Sequence, residues 1–163
     1  MYDRYRSCRV SASSCQTAGM KRRAPVTIGW REWALVPELT PVPIKAKIDT
    51  GALTSSLHAF RLHEVDDGTR VRFQVQPHQR SRTDSVTIEC PITDRRQVRS
   101  SNGQLQMRPV IETEIELAGR RQTIELTLTN RDEMGFRLLI GRRALRRRYL
   151  VDPGRSFITD PPA

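Results

Sequence analysis

The segment that most limits what this chain can become is VIETEIELAGRRQTIELTLT, residues 110–129. Ile111, Thr113, Ile115 and Leu117 fall on one side of a period-two pattern, and Glu112, Glu114 and Glu116 on the other. Side chains alternate faces along a strand but recur about every 3.6 positions along a helix, so this order suits a strand with one wet face. After Gly119 the pattern resumes, with Ile124, Leu126 and Leu128 against Glu125 and Thr127. The two runs make an antiparallel hairpin whose apolar face needs another layer to cover it.

The rest of the chain reads the same way. VTIGWREWALV and PIKAKID are strand segments bounded by Pro or Gly. Val71, Phe73 and Val75 alternate with Arg72 and Gln74, as Val86, Ile88 and Cys90 do with Thr87 and Glu89, which predicts two half-buried strands. Leu138, Leu139 and Ile140 run together and predict a strand buried on both faces. RRALRRRY follows as a short helix, and YLVDPGRSFIT supplies a turn at Pro153 and Gly154 and a last strand. Trp30 and Trp33 read as core or interface aromatics. No helix is long enough to cover a parallel sheet, so the chain is all-β, a small antiparallel barrel or sandwich. Its 163 residues suffice for one such core and not for two.

Residues 1–24 are polar and Ser-rich without hydrophobic period and are expected to form a disordered basic tail, leaving 25–163 as the domain. Met20 offers an alternative start. The first residues lack the apolar middle of a secretory signal, and no apolar run reaches the roughly 18 residues of a membrane span, so a cytoplasmic protein with no membrane partner is expected. Cys8, Cys15 and Cys90 are odd in number and lack C-x-x-C spacing, which disfavours a disulfide framework or a zinc finger. The formal charge of +10 will draw acidic partners at low salt. Five arginines crowd GRRALRRRY: Arg142, Arg143, Arg146, Arg147 and Arg148. A solvated face is the ordinary account of such a run, and nucleic acid is the less favoured one.

The chemistry centres on KAKIDTGALTSSLHA, residues 45–59. Ile44, Ala46 and Ile48 share a strand face, and Asp49 emerges at the strand end before Thr50, Gly51 and Ala52, where bulk is removed and another segment can approach. Two readings fit this carboxylate. It is the cap of an Asx-type turn, or it is a reagent.

KIDTGA, followed near the C-terminus by the apolar, apolar, Gly, Arg element of LLIGRRAL, resembles the retropepsin-like aspartic peptidases. Within them it is most similar to the bacterial group that carries the label ATP-dependent zinc protease. The resemblance runs from about Ile28 to Ile158 and includes RPVIETEIELAG and YLVDP. It implies a small closed acid-protease-like, that is retropepsin-like, β-barrel with one short C-terminal helix. It also implies hydrolysis of peptide bonds by a water held between two carboxylates that share one proton, because like charges about 3 Å apart cannot both ionise. This chain has a single Asp-Thr-Gly, so the resemblance requires a homodimer in which Asp49 meets its own symmetry mate. Thr50 would then brace the two loops across the axis, Gly51 and Ala52 would leave room for their approach, Ser55 would support the loop, and Gly141 would let the strand before it pass beneath. His58 would line the cleft or serve as a structural histidine.

A cleft of this kind needs a cover, and VRSSNGQLQM, with Asn102-Gly103 as a two-residue turn, stands where the retropepsin flap would be; a plain exposed hairpin is the alternative. Residues 61–97 exceed a minimal retropepsin, and their charge-rich strands fit an addition to the barrel, a block to dimerisation or a specificity element. The zinc and ATP of the group's label find no support: there is no H-E-x-x-H and no phosphate-binding G-x-x-x-x-G-K-[ST] loop. A site drawn from His58, His63 and Cys90 has no recognised spacing, so no metal and no cofactor are expected. Three functions remain open: a homodimeric aspartic endopeptidase acting on a peptide or protein, with an acidic one suiting the arginines; a catalytically silent peptide-binding barrel; and a basic adaptor for ribosomal protein or RNA.

Overall fold

The hairpin read from residues 110–129 is the element that closes the molecule on itself. The structure, a computed structural model, describes residues 23–77, 85–99, 103–130 and 135–162, and the backbone of 5–7. In chain order the strands begin with β1 (Tyr5–Ser7), β2 (Val26–Gly29), β3 (Arg31–Leu35), β4 (Ile44–Asp49) and β5 (Ser55–His58). They continue with β6 (Phe60–Val65), β7 (Arg70–Val75), β8 (Val86–Pro91), β9 (Asp94–Arg99), β10 (Leu105–Leu117) and β11 (Arg120–Thr129). Strand β12 (Leu138–Gly141), the single-turn helix α1 (Arg142–Leu145) and β13 (Tyr149–Asp152) complete the described residues.

A ring forms in the order β11-β5-β12-β4-β3-β10, and the β10–β11 pairing shuts it. Strand β10 serves three neighbours because it is long: Val110 to Leu117 pair with β11, Glu116 and Leu117 also with β3, and Leu105 to Val110 with β9. The β10–β11 turn is Ala118 and Gly119, both at positive φ (50° and 68°), the backbone sense whose twist matches a two-residue hairpin. Ala34, Ala46, Leu57, Ile111, Ile115, Leu126, Leu138 and Ile140 fill the interior with no exposed surface. Each large one among them contributes about 1.5–3 kcal/mol by burial. The all-β barrel with one short helix among the described residues is thus the fold, but it is not wholly antiparallel as expected: β5–β11 and β4–β12 are parallel pairs, joined through strands that reach the ring from distant parts of the chain.

The charge-rich segment inserts no strand into the ring. Instead β6, β7 and β8 form a separate sheet of order β1-β8-β7-β6, and Val71, Phe73, Val75, Ile88 and Cys90 on its inner face join the same core as the barrel. Its outer face is tied by Glu89, which accepts from Arg70 Nε (2.9 Å) and Arg72 Nε (3.1 Å).

Three local readings differ from the structure. Within the tail expected to be disordered, Tyr5–Ser7 pair in parallel with Thr87–Glu89, because the free edge of β8 offers a row of ladder groups; the rest of 1–22 lies outside the described residues. Leu139 is only half-buried, since its side of β12 faces a groove rather than a second layer. The last strand precedes the Pro153–Gly154 turn instead of following it: β13 pairs with β2, and no strand follows among the described residues. The segment after the turn is held by isolated backbone bonds, Trp30 N to the Arg155 carbonyl and Phe157 N to the Arg31 carbonyl, and by a side chain. The fully buried Glu32 carboxylate accepts from Gly29 N (2.7 Å), Ile158 N (3.1 Å) and Thr159 Oγ1 (2.9 Å), which satisfies an acid that could not otherwise lie in a core. Trp30 and Trp33 are half-buried on the outer wall, with the Arg31 guanidinium between Trp30 and Phe157 (4.7 and 5.1 Å to the ring centres).

Candidate active site

Asp49 ends β4, in parallel register with Gly141 at the end of β12. Its carboxylate curls over its own loop: Oδ1 accepts from Gly51 N (2.9 Å) and Ala52 N (3.1 Å). That is the Asx geometry, and it leaves Oδ2 without a hydrogen bond among the described residues. The two sequence readings are therefore compatible, since one oxygen shapes the turn while the other is open to chemistry. A Cβ at Gly51 would lie 3.2 Å from Oδ1, so glycine keeps the loop tight.

The loop is fixed from below. A Cβ at Gly141 would sit 2.6 Å from the Thr54 carbonyl carbon and oxygen, a backbone contact that cannot yield. Gly141 N also donates to Ser55 Oγ at 3.1 Å, so Ser55 supports the loop through Gly141 and not through the carboxylate. Ala52 and Leu53 carbonyls accept from Arg142 N (2.8 Å) and Arg143 N (3.1 Å), joining the loop to the start of α1. Asp49, Gly51, Ala52, Ser55 and Gly141 thus form one braced unit. Thr50 stands apart, exposed at the edge of a second groove of about 700 Å³. Leu53, Leu145, Tyr149, Leu150 and Val151 give that groove its apolar surface, and Leu53 and Leu150 are 52% and 58% exposed.

His58 does not line the cleft. It is 2% exposed and packs edge-on against Phe60 (4.2 Å between ring centres), while its backbone N–H donates to the Arg137 carbonyl. The segment ahead of β12 covers the end of β5 and turns this histidine into an interior residue. Among the described residues no three His, Cys, Asp or Glu side chains are placed to hold a metal ion; Cys90 is buried in β8 and His63 exposed on β6.

The hairpin that sequence reasoning placed at VRSSNGQLQM forms the wall opposite the loop, but its arginines were missed. Strand β9 pairs with Leu105–Val110, the half of β10 that leaves the ring, and this hairpin overhangs a groove of about 410 Å³. Ala52, Thr54, Ser56 and Leu139 form part of its floor, and Arg96, Arg99 and Arg108 come from the hairpin. Asn102, at the proposed turn, lies outside the described residues; Gly103 is exposed with φ +83°. The register places Arg99 opposite Leu105, one position off what a two-residue Asn102-Gly103 turn would set. Arg96 faces Arg108 directly across the hairpin. Like charges in that position repel, and that is the signal in RRQVRSS and MRPV that a reader could have used. Glu125 offsets part of the repulsion: Arg96 donates to both its oxygens (2.8 and 2.6 Å), and its carboxyl is held below the ordinary 4.5, chiefly by that hydrogen bond.

A family model described as RimB-like, retropepsin-like aspartic endopeptidase RimB, matches residues 27–162. Proteins named probable alpha-L-glutamate ligase are similar as well: one from Shewanella halifaxensis is 44% identical over 132 residues, and one from Parasynechococcus marenigrum is 42% identical over 130. The matches cover 80% and 78% of this chain but only 29% and 28% of those proteins, so the chain spans under a third of their length. A crystal structure of a Legionella pneumophila protein of unknown function aligns with a TM-score of 0.68 at 30% identity, covering 83% of this chain and 98% of that one.

Proposed function

The chain belongs to the RimB-like family of retropepsin-like aspartic endopeptidases, and from that premise we propose that it hydrolyses peptide bonds as a homodimer with Asp49 of each copy in one shared site. The observation that carries this reading is the placement of Asp49: a carboxylate with one oxygen engaged in its own turn and the other open, on a loop braced at every side but one. The unbraced side is where Thr50 meets the apolar groove with the exposed Leu53 and Leu150. A second copy seated there would cover that surface and bring the two carboxylates together. The pair would share a proton, one acting as base on a bound water and the other as acid toward the peptide carbonyl. Asp49 alone lacks the second group this chemistry needs.

The substrate is an acidic peptide segment. Arg99 and Arg108 line the groove beside Arg96, whose fork Glu125 already takes, and Lys47 shares the outer side of β4 with Asp49, two positions away. Guanidinium groups bind carboxylates by paired hydrogen bonds, so glutamate-rich sequences suit this cleft better than neutral ones. The relatives that contain such a region within a longer chain bear the name of glutamate ligases, which fits a glutamate-bearing substrate.

The test is cleavage of a glutamate-rich peptide and a neutral peptide of equal length by the wild type and Asp49→Asn. The reading expects an acid-shifted bell-shaped pH profile, preference for the acidic peptide, and no turnover in the variant, which stays folded and dimeric. Cleavage that survives Asp49→Asn contradicts it. The Asx role of Asp49 favours a second reading, a peptide-binding barrel without turnover. That reading expects the variant to bind peptide as the wild type does and neither to cleave at any pH.

A further inference from the structure

The β9–β10 hairpin that overhangs the groove is a sheet edge: among the described residues β9 bonds to no strand other than β10. Backbone bonds from Ile92 N to the Thr69 carbonyl and from Thr93 N to the Val110 carbonyl hold its base, and side chains set the position of the rest. On the side toward the added sheet, Arg95 donates to Glu64 Oε2 (2.8 Å) and to the Gly68 carbonyl, at an exposed site. On the side toward the barrel the tie is different in kind. The Arg96 fork takes both oxygens of Glu125, its Nε donates to Asp94 Oδ2 (2.8 Å), and Arg143 of α1 donates to the same Glu125 (Nη1 to Oε2, 2.9 Å). Glu125 thus joins three elements: β11, which carries it, the hairpin, and the helix whose first N–H groups hold the Asp49 loop.

A second observation bears on the same residue. Glu125 sits directly across from Glu112 in the β10–β11 ladder, where two carboxylates repel and a neutral partner would serve the barrel better. Its sheet neighbours give it no reason to be acidic. The arginines that it holds do.

We propose that Glu125 is the positioning residue of the cover: it ties the β9–β10 hairpin down onto the barrel and sets the Arg96 guanidinium on the groove wall. The fork carries the specificity, since a bidentate contact fixes both the height of the hairpin and the plane of the guanidinium. Passage of a peptide beneath the hairpin then requires the tie to yield or the chain end to thread.

Amide hydrogen exchange in the full chain tests this without any need for catalysis, so its outcome stands whether or not the chain cleaves peptides. In Glu125→Gln, which keeps shape and loses charge, exchange in β9 and the first half of β10 should quicken about three- to fivefold, with β4 and β12 unchanged. Arg96→Gln should reproduce that pattern, and it decides the matter should the first variant fail to fold. Arg95→Gln should quicken the same amides by less than about threefold. Unchanged hairpin exchange in the two tie variants overturns the proposal. So does equal acceleration in β4 and β12, which would make Glu125 a general barrel stabiliser.

Discussion

The Asp49 loop and the hairpin opposite it face each other across one groove, and they are held by opposite means. The loop is fixed by backbone: Asp49 caps its own turn, the Ala52 and Leu53 carbonyls hold α1, and Gly141 passes so close to Thr54 that no side chain fits. The hairpin is fixed by charge, through Arg95 on one side and Arg96 on the other, and it exposes Leu105 and Met107. Backbone contacts are insensitive to salt and pH; half-exposed ion pairs are not. On the proposed reading, the difference teaches that a rigid reagent faces an adjustable cover.

The sharpest challenge to the rigid half is Asp49→Asn. The amide oxygen still accepts from Gly51 and Ala52, so thermal unfolding should be unchanged while turnover falls at least about a hundredfold, the scale of general acid–base catalysis. A variant that loses fold along with activity would show the carboxylate to be structural. Next is Gly141→Ala, whose added methyl meets main chain at 2.6 Å. Urea unfolding should register a loss of roughly 1–3 kcal/mol, and a neutral result would mean that the loop is less tightly held than its contacts imply.

The adjustable half is probed by pH. The folded-state pKa of Glu125 is depressed, first by the hydrogen bond from Arg96, so its contribution is fully present above 4.5 and is lost as pH falls through the lowered value. Hairpin protection, taken relative to the intrinsic amide exchange rate at each pH, should therefore be flat from neutral pH down to about pH 5 and fall below it, for a stability cost under about 1 kcal/mol given the partial exposure of the pair. A rise of hairpin mobility at alkaline pH would contradict the assignment. The smallest effect is expected of Glu64→Gln on the exposed outer clamp, with no resolvable change in the urea midpoint; a large one would reverse the ranking of the two clamps.

How far the sequence could be read followed the same division. Period-two alternation located β7, β8, β10 and β11, because each has one face in the core and one outside it. The loop was legible too, since Asp-Thr-Gly and the distant Ile-Gly-Arg are local signatures of a tight backbone approach. What sequence did not disclose was pairing between distant strands. That Leu139 would floor a groove, that His58 would be roofed by the approach to β12, and that Arg96 would stand opposite Arg108 all depend on register. The last strand was misplaced for a related reason: nothing in YLVDPGRSFIT announces that Glu32, over a hundred residues earlier, would take the backbone N–H groups of Ile158 and Thr159.

Shared use of Asp49 is tested most directly by mixing. Wild type and Asp49→Asn are combined in equal amounts, allowed to exchange subunits, and assayed for peptide cleavage at fixed total concentration. If each productive site draws an aspartate from both copies, only wild-type pairs work and activity drops to about a quarter of that of undiluted wild type. Activity at about half would mean that each chain works alone, and at about three quarters that one Asp49 per pair suffices; either would contradict the account.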